Sequence, residues 1–432
     1  MSLRRLLPLA LVLLAASAPA QEAEPDVAPI EAPDSEADSK VPLGEIRRYV
    51  AVYNAVKQAY VEPIDDRKLM HSAIRGLLFD LDPHSVYLDR DDAASFEEQS
   101  RGAYDGVGVE LLRQPDGSLR VIAPIDDTPA ARAGIRSGDV ITAIDGKPFK
   151  PDEGDSSGPL RGPPGSKVVL TIVREGRDKP FDVTLTRETI RVASVRSRML
   201  EPGYGYVRVS AFQADTAADF AAQVDRLEAQ AGGRLRGLVI DLRSNPGGLL
   251  TAAVQIADDL LESGRIVSTR GRIAISDAEF SATPGDRLAG APVVVLVDAG
   301  SASASEVLAG ALRDNGRARI VGSRTFGKGS VQTVLPLDNG DSVKLTTARY
   351  YTPSGKSIQA LGITPDVVLH AEKSDERIRN YSEASLPGHL RGDGETEGSG
   401  AGEVLDGDAP IAAALGELKK QVAAAAAPAK RG

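Results

Sequence analysis

The chain has no cysteine and no tryptophan in 432 residues. Without cysteine there is no thiol nucleophile, no disulfide framework and no cysteine-ligated zinc. Stability outside the cell must then come from packing alone. Aromatic residues make up 4%, which leaves no stacking platform for single-stranded nucleic acid. A net charge of −10 disfavours nucleic acid and other polyanions as partners. Histidine is scarce: His71, His84, His370 and His389 are the full set. No internal repeat of about 20 to 50 residues is present.

What is present begins with an export signal. Arg4 and Arg5 open the chain, Leu6–Ala16 is an apolar run broken only by Pro8, and Ala18-Pro19-Ala20 offers a cleavage site. The run is too short to span a bilayer, so removal is expected rather than anchoring. No cysteine follows the cleavage site, which excludes a bacterial lipoprotein anchor. Residues 21–42 carry Pro25, Pro29, Pro33 and Pro42 among seven acidic residues. They bury too little apolar surface to fold and read as a tether.

From Leu43, apolar residues recur at helical spacing through Ile46, Tyr49, Val50, Tyr53 and Val56. A second helix is expected from about Arg67 to Phe79, ended by Asp82-Pro83. Residues 43–100 thus form a helical region. Residues 101–188 change to short β runs around a small helix, Thr128–Ala133, closed by Gly134. From about Thr189, strands and helices alternate, which predicts an α/β layer fold with right-handed crossovers over 189–373. Pro292–Val297 is apolar throughout and suits burial on both sheet faces. Residues 374–432 are polar and Gly-rich, then Ala-rich, and read as a loosely ordered low-complexity tail with one helix near Ile411–Ala424.

The chemistry concentrates in two stretches. In the first, the strand Val293–Val297 runs into Asp298-Ala299-Gly300-Ser301-Ala302-Ser303-Ala304-Ser305-Glu306 and then into a helix. A hydroxyl there lies beside unpaired backbone N–H groups that can stabilise an oxyanion. Taken locally, Ser301, Ser303 and Ser305 are equally good helix caps. The second stretch is Gly322 to Gln332. Its Gly327-Lys328 mimics a phosphate loop, but Gly329 stands where Ser or Thr is needed, and a strand follows instead of a helix. Lys328 lies between glycines that permit close backbone approach and burial. A serine needs a base, and no histidine has a recognisable triad context. Lysine can serve if burial lowers its pKa from about 10.4 by roughly three units, at about 4 kcal/mol.

Together these residues resemble the carboxy-terminal processing (tail-specific) serine proteases. The likeness covers most of residues 43–370. It rests on Leu81-Asp82-Pro83-His84-Ser85, Asp241–Gly248, Ser301–Glu306, Phe326–Gly329 with Gln332, and Tyr351–Gln359. It implies a crotonase- or ClpP-like layered α/β protease core with an inserted α+β PDZ domain and an N-terminal helical segment. It makes Ser303 the nucleophile, Lys328 the general base and Gln332 the residue that positions the lysine. The oxyanion hole is implied to use Ala304 N–H and a glycine of the Asn-Pro-Gly-Gly turn, with Gly247 and Gly248 both open. Gly106, Val107 and Gly108 correspond to a loop that captures a peptide C-terminal carboxylate, the peptide adding as a strand to the sheet edge. The expected enzyme is a serine endopeptidase of the bacterial periplasm or cell envelope, with no metal and no organic cofactor. Its expected partners are proteins or peptides with accessible apolar C-termini, a lipoprotein adaptor, and further copies of itself in a homo-oligomer. Two rival readings are a non-catalytic scaffold and a CoA-type acyl-transfer enzyme. The scaffold would lack Ser303 or Lys328. The acyl-transfer reading leaves the PDZ unit and the Ser–Lys pair without a role.

Overall fold

The computed structural model describes residues 42–114, 116–149, 158–273, 276–371, 382–396 and 402–426. The expected leader, and the tether apart from Pro42, lie outside these residues.

Two helices open the described chain, α1 (Leu43–Ala59) and α2 (Asp66–Phe79). Asp66 joins them by accepting from the Tyr53 hydroxyl at 2.8 Å and from Lys57 at 2.7 Å. The N-terminal region is less purely helical than expected. It also contributes a strand, β1 (Val86–Leu88), to a sheet of the core. A further helix, α3 (Arg90–Arg101), follows, capped by Asp89 and stopped by Gly102 in the left-handed region.

A two-stranded ribbon, β2 (Ala103–Gly106) with β9 (Glu188–Arg191), carries the chain into and out of the inserted β unit. That unit contains β3 (Val109–Arg113), β4 (Leu119–Pro124), α4 (Pro129–Arg132), β5 (Val140–Ile144), β6 (Lys147–Pro148), β7 (Lys167–Val173) and β8 (Phe181–Thr186). Its sheet order is β3-β4-β5-β7-β8, with β6 on β5 and β3 at one edge. Alternate residues of β7 face inward, so Val168, Leu170 and Ile172 join Ile141, Leu185 and Ile135 in a separate core.

The main body begins with the antiparallel edge strand β10 (Val195–Glu201). The parallel strands β11 (Tyr204–Val209), β12 (Gly237–Asp241), β15 (Val293–Val297), β16 (Ala318–Gly322) and β19 (Val367–Val368) follow in space. Helices α5 (Thr216–Ala231), α6 (Leu250–Leu260) and α7 (Ala304–Asp314) cover one face. Behind them lies a second sheet of β13 (Arg265–Gly271), β14 (Ala278–Ser281), β17 (Ser330–Pro336) and β18 (Ser342–Tyr351), to which β1 is added.

Strand β15 is buried on both faces, as its composition predicts. Val293, Val295 and Val297 meet the helical layer. Val294 and Leu296 meet the opposite face, where α8 (Ala409–Ala426) docks through Ile411, Ala414 and Leu418. The segment expected to be a loose tail is therefore part of the fold where it is described. A sheet with five buried valine and leucine positions in one strand needs two covers, and the tail helix is the second.

Candidate active site

The sharp turn from β15 into α7 separates the three serines. Ser301 Oγ donates to Leu242 O at 2.8 Å, and Ser305 Oγ donates to Asn245 O at 2.9 Å. Both hydroxyls are spent on backbone. Ser303 sits at the N-cap of α7 with φ 55° and ψ −114°, a conformation that non-glycine residues rarely adopt. Its hydroxyl meets that of Tyr350, a buried side chain on β18 whose pKa burial pushes up to about 12.

Glu306 holds this turn from below. Its carboxylate, fully buried, accepts from Ser303 N at 2.8 Å, Gly327 N at 2.7 Å, Lys328 N at 2.9 Å and the Thr325 hydroxyl at 2.5 Å. One side chain thus ties the nucleophile turn to the lysine turn. Burial raises its pKa to about 7, against the pull of these four donors.

The lysine turn is built on its glycines, as the sequence predicts. A Cβ on Gly329 would lie 2.3 Å from Gln359 N, and one on Gly327 would press on the backbone of Ala360 and Gly362. The crossing segment bonds Ala360 N to Gly327 O at 2.8 Å, and Gly329 N donates to Gln359 Oε1 at 3.0 Å. Lys328 Nζ is enclosed and donates to Gln332 Oε1 at 2.6 Å. Burial is the main cause of its lowered pKa, about 8, and the nearby cation of Lys344 adds to it. Gln332 is fixed in turn: its Nε2 donates to Ser330 Oγ at 3.0 Å and Thr346 Oγ1 at 3.2 Å, and Thr346 donates to Asp82 at 3.1 Å.

Ser303, Lys328 and Gln332 line one cleft of about 760 Å³, together with Gly247, Gly248 and Tyr350. Among the described residues no histidine lines it. His84 is committed elsewhere, to Glu383 at 2.8 Å. The two turn glycines differ. Gly247 N–H donates to Asn245 Oδ1 at 2.9 Å, and a Cβ on Gly247 would lie 2.9 Å from Ser303 Cβ and 3.0 Å from Ala304 N. The N–H groups of Gly248 and Ala304 have no acceptor among the described residues.

In the inserted unit, Gly106 ends β2 and Gly108, at φ 78°, packs so closely that a Cβ would meet Thr128 at 2.3 Å. Val107 O and Gly108 O accept from Ala130 N at 2.9 Å and Ile125 N at 3.0 Å. The N–H groups of Val107 and Gly108 find no acceptor among the described residues. Val107 and Gly108 line a small groove beside β3, the edge strand of the sheet. Tyr104 and Arg161 line both this groove and the Ser303 cleft.

Three residues of the site were not singled out from sequence. Glu306 had a signal, the Ser-x-x-Glu spacing of a capping box. Tyr350 and Thr346 had only the even spacing of a strand, which does not say what the strand faces.

Comparison with known proteins decides the family. Residues 203–369 match peptidase family S41, 103–185 match a PDZ domain, and 13–92 match the N-terminal domain of the activating protease CtpB. The carboxy-terminal-processing protease of Bartonella bacilliformis is 41% identical over 383 residues, 87% of this chain and 88% of its own. The chain belongs to the carboxy-terminal-processing proteases. The carboxy-terminal processing protease CtpA of Bacillus subtilis is 34% identical over 73% of this chain and 67% of its own. A solved photosystem II D1 C-terminal processing protease is 33% identical, covers 80% of this chain and 99% of its own, and superposes with a TM-score of 0.44. The protein is accordingly a serine peptidase with an S41 core, an inserted PDZ domain and N-terminal helices. The scaffold and acyl-transfer readings fall with this assignment.

Proposed function

We propose that this carboxy-terminal-processing protease is an endopeptidase that cleaves exported or envelope proteins with a Ser303–Lys328 dyad, selecting them through PDZ capture of an apolar C-terminal tail. The observation that carries the reading is the state of Lys328. It is enclosed, held by Gln332 and lowered to about 8, in the same cleft as a strained serine.

Neutral Lys328 takes the Ser303 proton as Oγ bonds to the scissile carbonyl carbon. The N–H groups of Ala304 and Gly248 receive the oxyanion, while Gly247 shapes the turn. Lys328 then gives the proton to the departing amine as the C–N bond breaks. Water, deprotonated by Lys328, attacks the ester and releases Ser303. The fixed Gln332 keeps the lysine aimed. In the PDZ domain, the Val107 and Gly108 N–H groups take the substrate carboxylate, Gly106 shapes their loop, and the tail pairs with β3.

Export rests on the basic and apolar start of the sequence. The described residues include no helix long and apolar enough to cross a membrane. A homo-oligomer is supported by α1, which buries no residue and exposes Leu43, Ile46, Tyr49 and Val50. A lipoprotein adaptor belongs to the reading as an added envelope partner. The test is cleavage of an unstructured protein ending in an apolar tail. Ser303→Ala and Lys328→Ala should each abolish turnover with unchanged circular dichroism. Turnover retained in Lys328→Ala would sink the dyad.

A further inference from the structure

Strand β18 reaches the catalytic site on both sides of a register shift between Thr346 and Ala348. Tyr350 meets Ser303, and Thr346 bonds Gln332, which bonds Lys328. Lys344 lies on the same side of that shift as Thr346, two residues beyond it and therefore about 7 Å further along the strand. It opposes Val334 of β17, itself two residues from Gln332. Lys344 lines the same cleft as Ser303 and Lys328. Among the described residues its ammonium makes no hydrogen bond and no ion pair, and it lies 5.3 Å from the centre of the Phe96 ring on α3.

A cation in a partly desolvated cleft, beside a second lysine and without an ion-pair partner, is unfavourable for folding. Its placement makes sense if it serves Lys328. We propose that Lys344 is an electrostatic tuning residue of the catalytic base: its positive charge in the same cleft disfavours a second ammonium at Lys328 and so favours the neutral base. The proposal rests on the reading of Lys328 as base.

The charges facing Lys328 come from four elements. Lys344 on β18 lowers its pKa, while Glu383 on the segment after the core, Glu306 on α7 and Asp82 on the loop before β1 raise it. Three carboxylates thus favour the ammonium form, and Lys344 is the counterweight to them. Lys344 is itself lowered by burial and raised by Asp82. The Phe96 ring face attracts its ammonium and holds it without neutralising it.

The experiment is a charge series at position 344 in the full chain, with kcat/KM on a fluorogenic peptide measured from pH 5.5 to 10. Lys344→Arg should keep the wild-type acid limb. Lys344→Met should move the limb to higher pH, costing about threefold to tenfold in rate at pH 7 and little above pH 9, since each pKa unit is a factor of ten. Lys344→Glu should move it further in the same direction. A limb that stays in place in Lys344→Met and Lys344→Glu overturns the proposal, as does a loss of equal size at every pH, which would mark a packing role only. Lys328→Ala, run alongside, separates the failures. If it retains turnover, the base assignment itself is wrong. If it is dead while the limb is insensitive to residue 344, only the tuning role falls. Thermal melts of each variant confirm that the compared proteins are folded.

Discussion

Ser303 holds a backbone conformation that costs energy, and Glu306 is the side chain that maintains it. The carboxylate accepts from the Ser303 and Lys328 backbones at once. Replacing it with glutamine turns one acceptor oxygen into an NH2 group facing N–H donors. Glu306→Gln should therefore lower kcat by about tenfold to a hundredfold, as small displacements of reacting groups do, with KM little changed. Equal kcat in the variant would show that the turns hold their register without it. Tyr350→Phe removes one hydroxyl contact from the nucleophile and should lower kcat about threefold to tenfold, read from steady-state kinetics. An unchanged kcat would confine Tyr350 to packing.

Legibility at this scale was uneven. Spacing and family resemblance singled out Ser303, Lys328 and Gln332, and all three line one cleft. The depression expected for a base near neutrality was roughly three units. The lysine reaches about 8, and its chief cause is the expected one, burial. The proposed preference for Gly248 over Gly247 could not be read from sequence, because it rests on which N–H the fold already bonds. Asn245 consumes that of Gly247.

Among the elements, β15 and α8 show where sequence reading stopped. The apolar run Val293–Val297 announced burial on both faces, but nothing local said what covered the second face. A helix near Ile411–Ala424 was expected, but its docking was not: an Ala-rich helix needs few large residues when it packs on a flat sheet, and Leu418 and Ile411 supply them. A Cβ on Gly237 would already press on Leu418 at 2.8 Å, so the contact is tight. Leu418→Ala should cost about 2–5 kcal/mol in denaturant unfolding. A loss below about 0.5 kcal/mol, the usual size for surface sites, would detach α8 from the fold. The lysine turn makes a matching demand. Gly329→Ala sets a Cβ against Gln359 N, and should abolish activity with a lowered melting temperature. Wild-type activity in that variant would mean the crossing segment can retreat.

Across the whole molecule, two openings share Tyr104 and Arg161 as walls, one beside the PDZ loop and one over Ser303. A tail held at the first lies next to the second. Amidating the C-terminus of a peptide substrate should weaken its binding at least tenfold by removing the charge that the proposed carboxylate loop would receive. Equal affinity, measured by fluorescence anisotropy with the Ser303→Ala protein, would remove that loop from the account. The insertion of this unit was readable from its change of texture at Gly102. Its junction with the cleft was not, since α3, which lines the cleft through Phe96 and Gln99, carries charges and few apolar residues and gave no helical stripe to recognise.

The proposed dyad needs Lys328 in its neutral form. Lysine is neutral above its pKa, so reactivity must rise with pH through the depressed value. The direct measurement is the rate at which a fluorophosphonate labels Ser303 as a function of pH. The expected profile climbs tenfold per unit below an inflection near the value of about 8 set for Lys328, is level above it, and vanishes in Lys328→Ala. A rate that is flat from pH 5 to 9, or labelling that persists without the lysine, would contradict it.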